Sequence, residues 1–123
     1  MKLLQRFILL SALIALSSCG GNAGLKKDAK KIADAMCKNI EAMSLLKAAN
    51  PSDSAKIMDL RAKGRQAEAE MSVLYKDFRN KYKDRMSDKK FSDEFAKDLR
   101  QAMLDCKYLS KEDRANFEKE IDN

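Results

Sequence analysis

The chain has 123 residues, 45% of them hydrophobic and 36% charged but only 7% aromatic, with four Gly, one Pro, no Trp and no His. That length holds one ordinary domain, and the balance suits long amphipathic helices rather than a sheet protein, which would use more turn and aromatic residues. Without His there is no Ser-His-Asp or Cys-His catalytic site and no imidazole metal ligand, and a formal charge of +6 marks the protein as basic.

A basic flank, Lys2 and Arg6, precedes an apolar run from Phe7 to Leu16, which is followed at once by Ser17-Ser18-Cys19-Gly20-Gly21. The run has the layout of a secretory signal and is shorter than the about 20 residues that span a bilayer as a helix. Leu16-Ser17-Ser18-Cys19 resembles the lipobox of bacterial lipoproteins: a branched apolar residue, two small residues, then the Cys that carries the lipid. The resemblance implies that residues 1–18 are a signal peptide removed before Cys19. Cys19 would then carry a diacylglycerol thioether and a further acyl chain, such as palmitate, on its new amino group. Three chains make membrane residence effectively permanent. Residue 20 is Gly where the family's inner-membrane retention signal has Asp, so the resemblance implies sorting to the outer membrane; no acidic cluster of the kind some surface-export signals carry follows Cys19, so the body is expected to face the periplasm. The competing reading is ordinary cleavage that leaves Cys19 a free thiol. Residues 19–24, rich in Gly, are expected to form a flexible tether.

The body, residues 25–123, predicts an all-α fold. Ala29, Ala33, Met36, Ile40 and Met43 recur at helical spacing, with Ile32 and Leu46 widening the stripe, so a first helix runs from Leu25 to about Ala49. Asn50-Pro51-Ser52-Asp53 is a turn, with Asn50 expected as N-cap and Pro51 as first residue of the next helix. That second helix is expected to reach Met86, with Ile57, Leu60, Gly64, Ala67, Met71, Leu74, Phe78 and Tyr82 on one face. Gly64, on the seam, marks a close crossing or a mild kink. Ser87 or Asp88 opens a third helix with Phe91, Phe95, Leu99, Ala102, Met103, Cys106 and Leu109 inward. Ser110 caps a short fourth, whose large apolar side chains are Phe117 and Ile121. The expectation is an up-down-up three-helix bundle or antiparallel coiled coil with a short C-terminal helix.

An exported chain with two further cysteines, Cys37 and Cys106, invites a disulfide. At 1.5 Å per residue, Cys37 lies about 20 Å below the first turn and Cys106 about 27 Å below it, a difference of little more than one helical turn. The alternatives are a redox pair, which lacks a C-x-x-C spacing, and a soft-metal site with Met36 and Met103.

Basic residues cluster twice. Lys26, Lys27, Lys30 and Lys31 open the first helix. Arg79, Lys81, Lys83, Arg85, Lys89 and Lys90 surround the turn between the second and third. An up-down-up bundle brings both clusters to the end nearest the lipid, where anionic phospholipid headgroups are the expected partner and a solvated Lys-rich face is the plain alternative.

No catalytic constellation, metal site or cofactor is expected. Carboxylate pairs such as Glu68 and Glu70 sit at i, i+2, a spacing that does not converge on one substrate. Nucleic acid is not an expected partner, for want of a helix-turn-helix, an aromatic platform or a zinc knuckle. The whole chain resembles the small helical outer-membrane lipoproteins of Gram-negative bacteria. Murein-linked members end in a basic residue, whereas this chain ends Ile121-Asp122-Asn123. The expected role is therefore a non-enzymatic interaction or envelope-structural module, in contact with an outer-membrane complex. The alternative is a carrier of a small hydrophobic ligand or soft metal between helices. A carrier should show a void lined by Met and Phe, and an adaptor an exposed apolar surface.

Overall fold

The computed structural model describes the backbone of residues 2–123 and the side chains of residues 23–123, so the side chains of the expected signal peptide and lipobox, Cys19 included, lie outside the described ones. Four α-helices make up the body: α1 (Lys2–Ala48), α2 (Ser54–Lys81), α3 (Lys89–Met103) and α4 (Lys111–Asp122), with a 3-10 turn, Lys83–Arg85, between α2 and α3. Ala23 and Gly24, the last residues of the expected tether, are helical residues of α1.

α1 stops because Pro51 disfavours helical geometry at Asn50 and has no N–H to donate. The Asn50 side chain accepts from Ser52 N–H at 3.0 Å, and its carbonyl accepts from Asp53 N–H at 2.9 Å, closing a tight turn. The expected cap is corrected here. Asn50 holds the turn, while Asp53, whose side chain accepts from Lys56 N–H at 3.1 Å, is the N-cap of α2. A helix begun at Pro51 would have left Asp53 inside its first turn instead of satisfying the free N–H groups.

All eight positions expected on the inward face of α2 are buried or half-buried. The helix ends at Lys81, short of the expected Met86. Tyr82 turns its ring into the core, its N–H still donating to Phe78 O at 3.0 Å while its backbone leaves helical geometry. Asp88 then caps α3, accepting from Lys90 N–H at 3.0 Å. α3 also ends early, at Met103 rather than Leu109. Consecutive tight turns, Cys106 N–H to Met103 O at 3.0 Å and Leu109 N–H to Cys106 O at 3.2 Å, carry the buried Cys106 and Leu109 outside the helix. Ser110 caps α4 as expected, accepting from Asp113 N–H at 3.0 Å.

The core has two centres. In the first, Leu25 and Ile32 of α1 meet Phe78 and Tyr82 of the α2 end and Phe91 of α3. Ring centroids lie 4.2 Å apart for Phe78–Phe95, 4.8 Å for Phe78–Tyr82 and 5.1 Å for Tyr82–Phe91. Each such pair is worth about 0.5–1.5 kcal/mol beyond its buried area. In the second centre Ala33 packs with Met103, Cys106 and Leu109, against Met36, Ile40 and Phe117. Leu25 meets Phe91 and Ala33 meets Met103, so α1 and α3 run parallel with antiparallel α2 between them in sequence, which is the up-down-up order.

Beyond Ile40 no residue of α1 joins either centre, and α1 and α2 continue as a two-helix arm. There the buried side chains are Ala42, Leu60 and Ala67. A Cβ placed on Gly64 would lie 3.8 Å from Ala42 Cβ, so Gly64 sits where the two helices pass closely. The stripe expected through Met43 is corrected: Met43 is 50% exposed. Alongside α3 the inward face of α1 is Ala33, Met36 and Ile40. In the arm α2 is its neighbour, and the inward positions become Asn39 and Ala42, one residue round the helix.

Candidate functional site

Cys37 and Cys106 form a disulfide, Cα atoms 5.7 Å apart, joining α1 to the turn that follows α3. The bridge uses both sulfurs, so neither is a thiolate ligand or a free redox thiol in this form, and Met36 and Met103 pack in the core beside it. Arg114 of α4 secures the same turn. Its two guanidinium Nη groups donate to Leu104 O at 2.6 Å and Cys106 O at 2.9 Å, carbonyls that the early end of α3 leaves without helical partners. Sequence inspection gave Arg114 no role, because its task exists only once α3 stops short.

Both basic clusters do reach one end of the bundle. Tyr82 Oη donates to Asp28 Oδ2 at 2.8 Å, and Lys81 Nζ donates to the same oxygen at 2.7 Å, tying the end of α2 to α1. Asp28 is only 18% exposed at its side chain. Burial works against its charge, but the hydrogen bonds from Lys81 and Tyr82 outweigh it and hold the carboxyl below its ordinary pKa. Burial, and then the bond to the Asp28 carboxylate, push the Tyr82 phenol up. Nothing local in the sequence around Asp28 signals its partners, more than fifty residues away.

The ten basic side chains singled out from sequence are all exposed. Lys30 pairs with Asp34 at 3.1 Å, Lys81 with Asp28 at 2.7 Å and Lys89 with Asp93 at 2.6 Å. Arg85 stacks over the buried Phe91 ring, 4.5 Å from its centroid. Lys26, Lys27, Lys31, Arg79, Lys83, Arg85 and Lys90 form no ion pair among the described residues. The first turns of α3 add acid to the same end. Glu94 and Asp98 line a hollow with Lys26 and Lys97, and Asp98 is raised above its ordinary pKa by burial, with Glu94 adding to the shift and Lys26 opposing it. Over residues 23–31 and 76–98 there are twelve Lys and Arg against seven Asp and Glu, so the end stays positive while its α3 flank does not.

At the opposite end a groove of about 370 Å³ runs between α1 and α2, floored by Ala42, Leu45, Leu60 and Ala67 and edged by Lys38, Glu41, Lys63 and Glu70. Lys38 and Glu70 bridge it at 3.1 Å. Met43, Leu45 and Met58 are exposed close to the α1–α2 turn. The phenylalanines that a carrier's void would need pack on one another instead. Among the described residues no helix is long and apolar enough to cross a membrane, and no cluster of three or more Cys, Asp and Glu side chains could hold a metal. Comparison with protein-family models, with curated proteins and with solved structures finds no match to this chain.

Proposed function

We propose that this chain is a lipid-anchored protein of the bacterial outer membrane, held through Cys19 and facing the periplasm, that acts as a non-enzymatic interaction or structural module of the envelope. The observation that carries the reading is the Cys37–Cys106 bridge, because a structural disulfide persists in an oxidising compartment and not in a reducing cytosol. It supports export independently of the Leu16-Ser17-Ser18-Cys19 motif. The fold fits the role. Its cross-linked, aromatic-cored end adjoins the anchor, and its arm displays Met43, Leu45 and Met58 at the far end, where a protein of an outer-membrane complex can reach them.

The test is the intact mass and fractionation of the chain made in a Gram-negative bacterium. The expected product begins at Cys19, carries diacylglycerol and a third acyl chain, and sediments with outer membranes, whereas Cys19→Ala is recovered unacylated. An unacylated N-terminal segment on the wild-type chain, or its recovery from the cytosol, overturns the proposal.

A further inference from the structure

We propose that the α2–α3 connection, residues 82–90, is a docking foot that rests on an anionic phospholipid surface and inserts Met86 among the headgroups. The inference rests on the anchored reading above and names the surface that the basic end meets. Three observations carry it.

The first is position. Tyr82 Oη lies 3.8 Å from where a Gly24 Cβ would be and bonds Asp28, so the connection starts level with Gly24 and Asp28 of α1. Gly24 is five residues from Cys19, which in any conformation can span no more than about 18 Å. The connection is therefore never far from a bilayer that holds Cys19.

The second is charge. Lys83, Arg85, Lys89 and Lys90 crowd nine residues whose acids are Asp84 and Asp88, and the Asp88 carboxylate is engaged in capping α3. Of the acids that α3 brings to this end, Asp98 lies beside Lys26, Glu94 lines hollows with Lys26 on one side and with Lys89 and Lys90 on the other, and Asp93 pairs with Lys89 at 2.6 Å. Lys83, Arg85 and Lys90 form no ion pair among the described residues, so the connection keeps an excess of positive charge, complementary to anionic headgroups.

The third is an apolar tip on a rigid base. Met86 is 41% exposed, follows directly on Arg85, and sits three residues before Lys89. Arg85 is held over Phe91 and Lys81 on Asp28, so the connection need not be ordered on contact. An exposed unbranched apolar side chain flanked in sequence by Lys83, Arg85, Lys89 and Lys90 suits the boundary of headgroup and acyl chain, where the sulfur and methyl can sink while the charges stay at the phosphates. An acidic protein surface would satisfy the cations and leave Met86 unused.

The chain contains no Trp, so Met86→Trp and Met58→Trp are single-tryptophan reporters at opposite ends of the molecule. The lipidated full chain is reconstituted on vesicles of phosphatidylethanolamine with phosphatidylglycerol and on vesicles of phosphatidylcholine alone. Flotation in 1 M salt reads the anchor separately. On anionic vesicles at low salt the Met86→Trp emission should shift to the blue and be quenched by brominated acyl chains, while Met58→Trp stays unchanged. On phosphatidylcholine neither should move. Adding Lys83→Gln and then Lys90→Gln to Met86→Trp should lower the docked-to-undocked ratio about fivefold each. Floated protein whose Met86→Trp emission does not change on anionic vesicles overturns the foot and leaves the anchor standing. An equal shift on both vesicle types overturns the charge argument. A chain that fails to float in high salt but shifts on anionic vesicles at low salt upholds the foot and overturns the anchor. If added acidic polypeptide shifts the emission in the absence of lipid, the partner is a protein and the proposal fails.

Discussion

Reducing the Cys37–Cys106 bridge should cost this protein a large part of its stability. The two residues are 69 apart in sequence, and the chain-entropy relation assigns a closed loop of that size about 4 kcal/mol at 25 °C. Typical domains hold about 5–15 kcal/mol, so the reduced protein should sit near the lower limit of a cooperative fold. For a body of about 100 residues the same loss corresponds to a fall in Tm of about 20 °C. The assay is urea unfolding followed by circular dichroism, with and without reductant, and with Cys37→Ala/Cys106→Ala as a second route. The urea dependence should steepen on reduction, because a chain without the cross-link exposes more surface when unfolded. A free-energy difference below about 1 kcal/mol by both routes would refute the claim that restriction of the unfolded chain is the main effect of the bridge.

Gly64→Ala should raise stability by about 0.5–1 kcal/mol, since the new Cβ meets Ala42 Cβ and Asn39 Oδ1 at ordinary contact distance, 3.8 Å, and a helix-interior Gly is replaced; a loss in denaturant midpoint would show that the crossing cannot take a methyl. Asp28→Asn should destabilise by about 1 kcal/mol at neutral pH. The Asp28 pKa is depressed in the folded state, so its contribution is present above the ordinary carboxylate value and lost as pH falls through the folded one; the gap between variant and wild type should close in acid. Asp98→Asn should show the opposite sign. The Asp98 pKa is raised by burial, so its charge is a penalty at neutral pH that the variant removes and that acid also removes; curves of stability against pH for the two variants that run parallel would contradict both assignments. Arg114→Ala should cost about 2 kcal/mol locally, because Leu104 O and Cys106 O lose charged donors; amide exchange across α4 should quicken about thirtyfold, while Lys119→Ala leaves it unchanged.

The periodicity of apolar residues is enough to identify α2 and its inward face, because from Ile57 to Tyr82 that helix presents one side to α1 throughout. It was not enough for α1, which changes neighbours at Ile40, so an apolar stripe extrapolated along a fixed face led to Met43 while the packed position is Ala42. The ends of α2 and α3 were illegible for a related reason. No Gly or Pro marks Lys81 or Met103; what ends those helices is the Tyr82 ring seeking Phe78 and Asp28, and Cys106 reaching Cys37. The arithmetic that paired the two cysteines nonetheless held. α2, at 28 residues, and α3, at 15, are both shorter than expected, and the two shortfalls largely cancel in the height of Cys106. At the basic end, charges close in sequence could be counted, but the Asp28–Tyr82 bond and the acids that α3 delivers beside Lys26 depend on packing.

The bridge stands where the third helix gives out, with the aromatic packing around Leu25 and Phe91 on one side and a bare pair of helices on the other. Fraying that starts at Asn50 meets little resistance through the alanine seam, and can travel toward the bridge before it encounters a covalent stop. The two halves should therefore answer hydrogen exchange on different clocks, amides near the hairpin tip opening alone and those around Leu25, Phe78 and Phe91 only with the whole molecule. An end that can open on its own is thus joined covalently to one that opens only when the whole molecule unfolds.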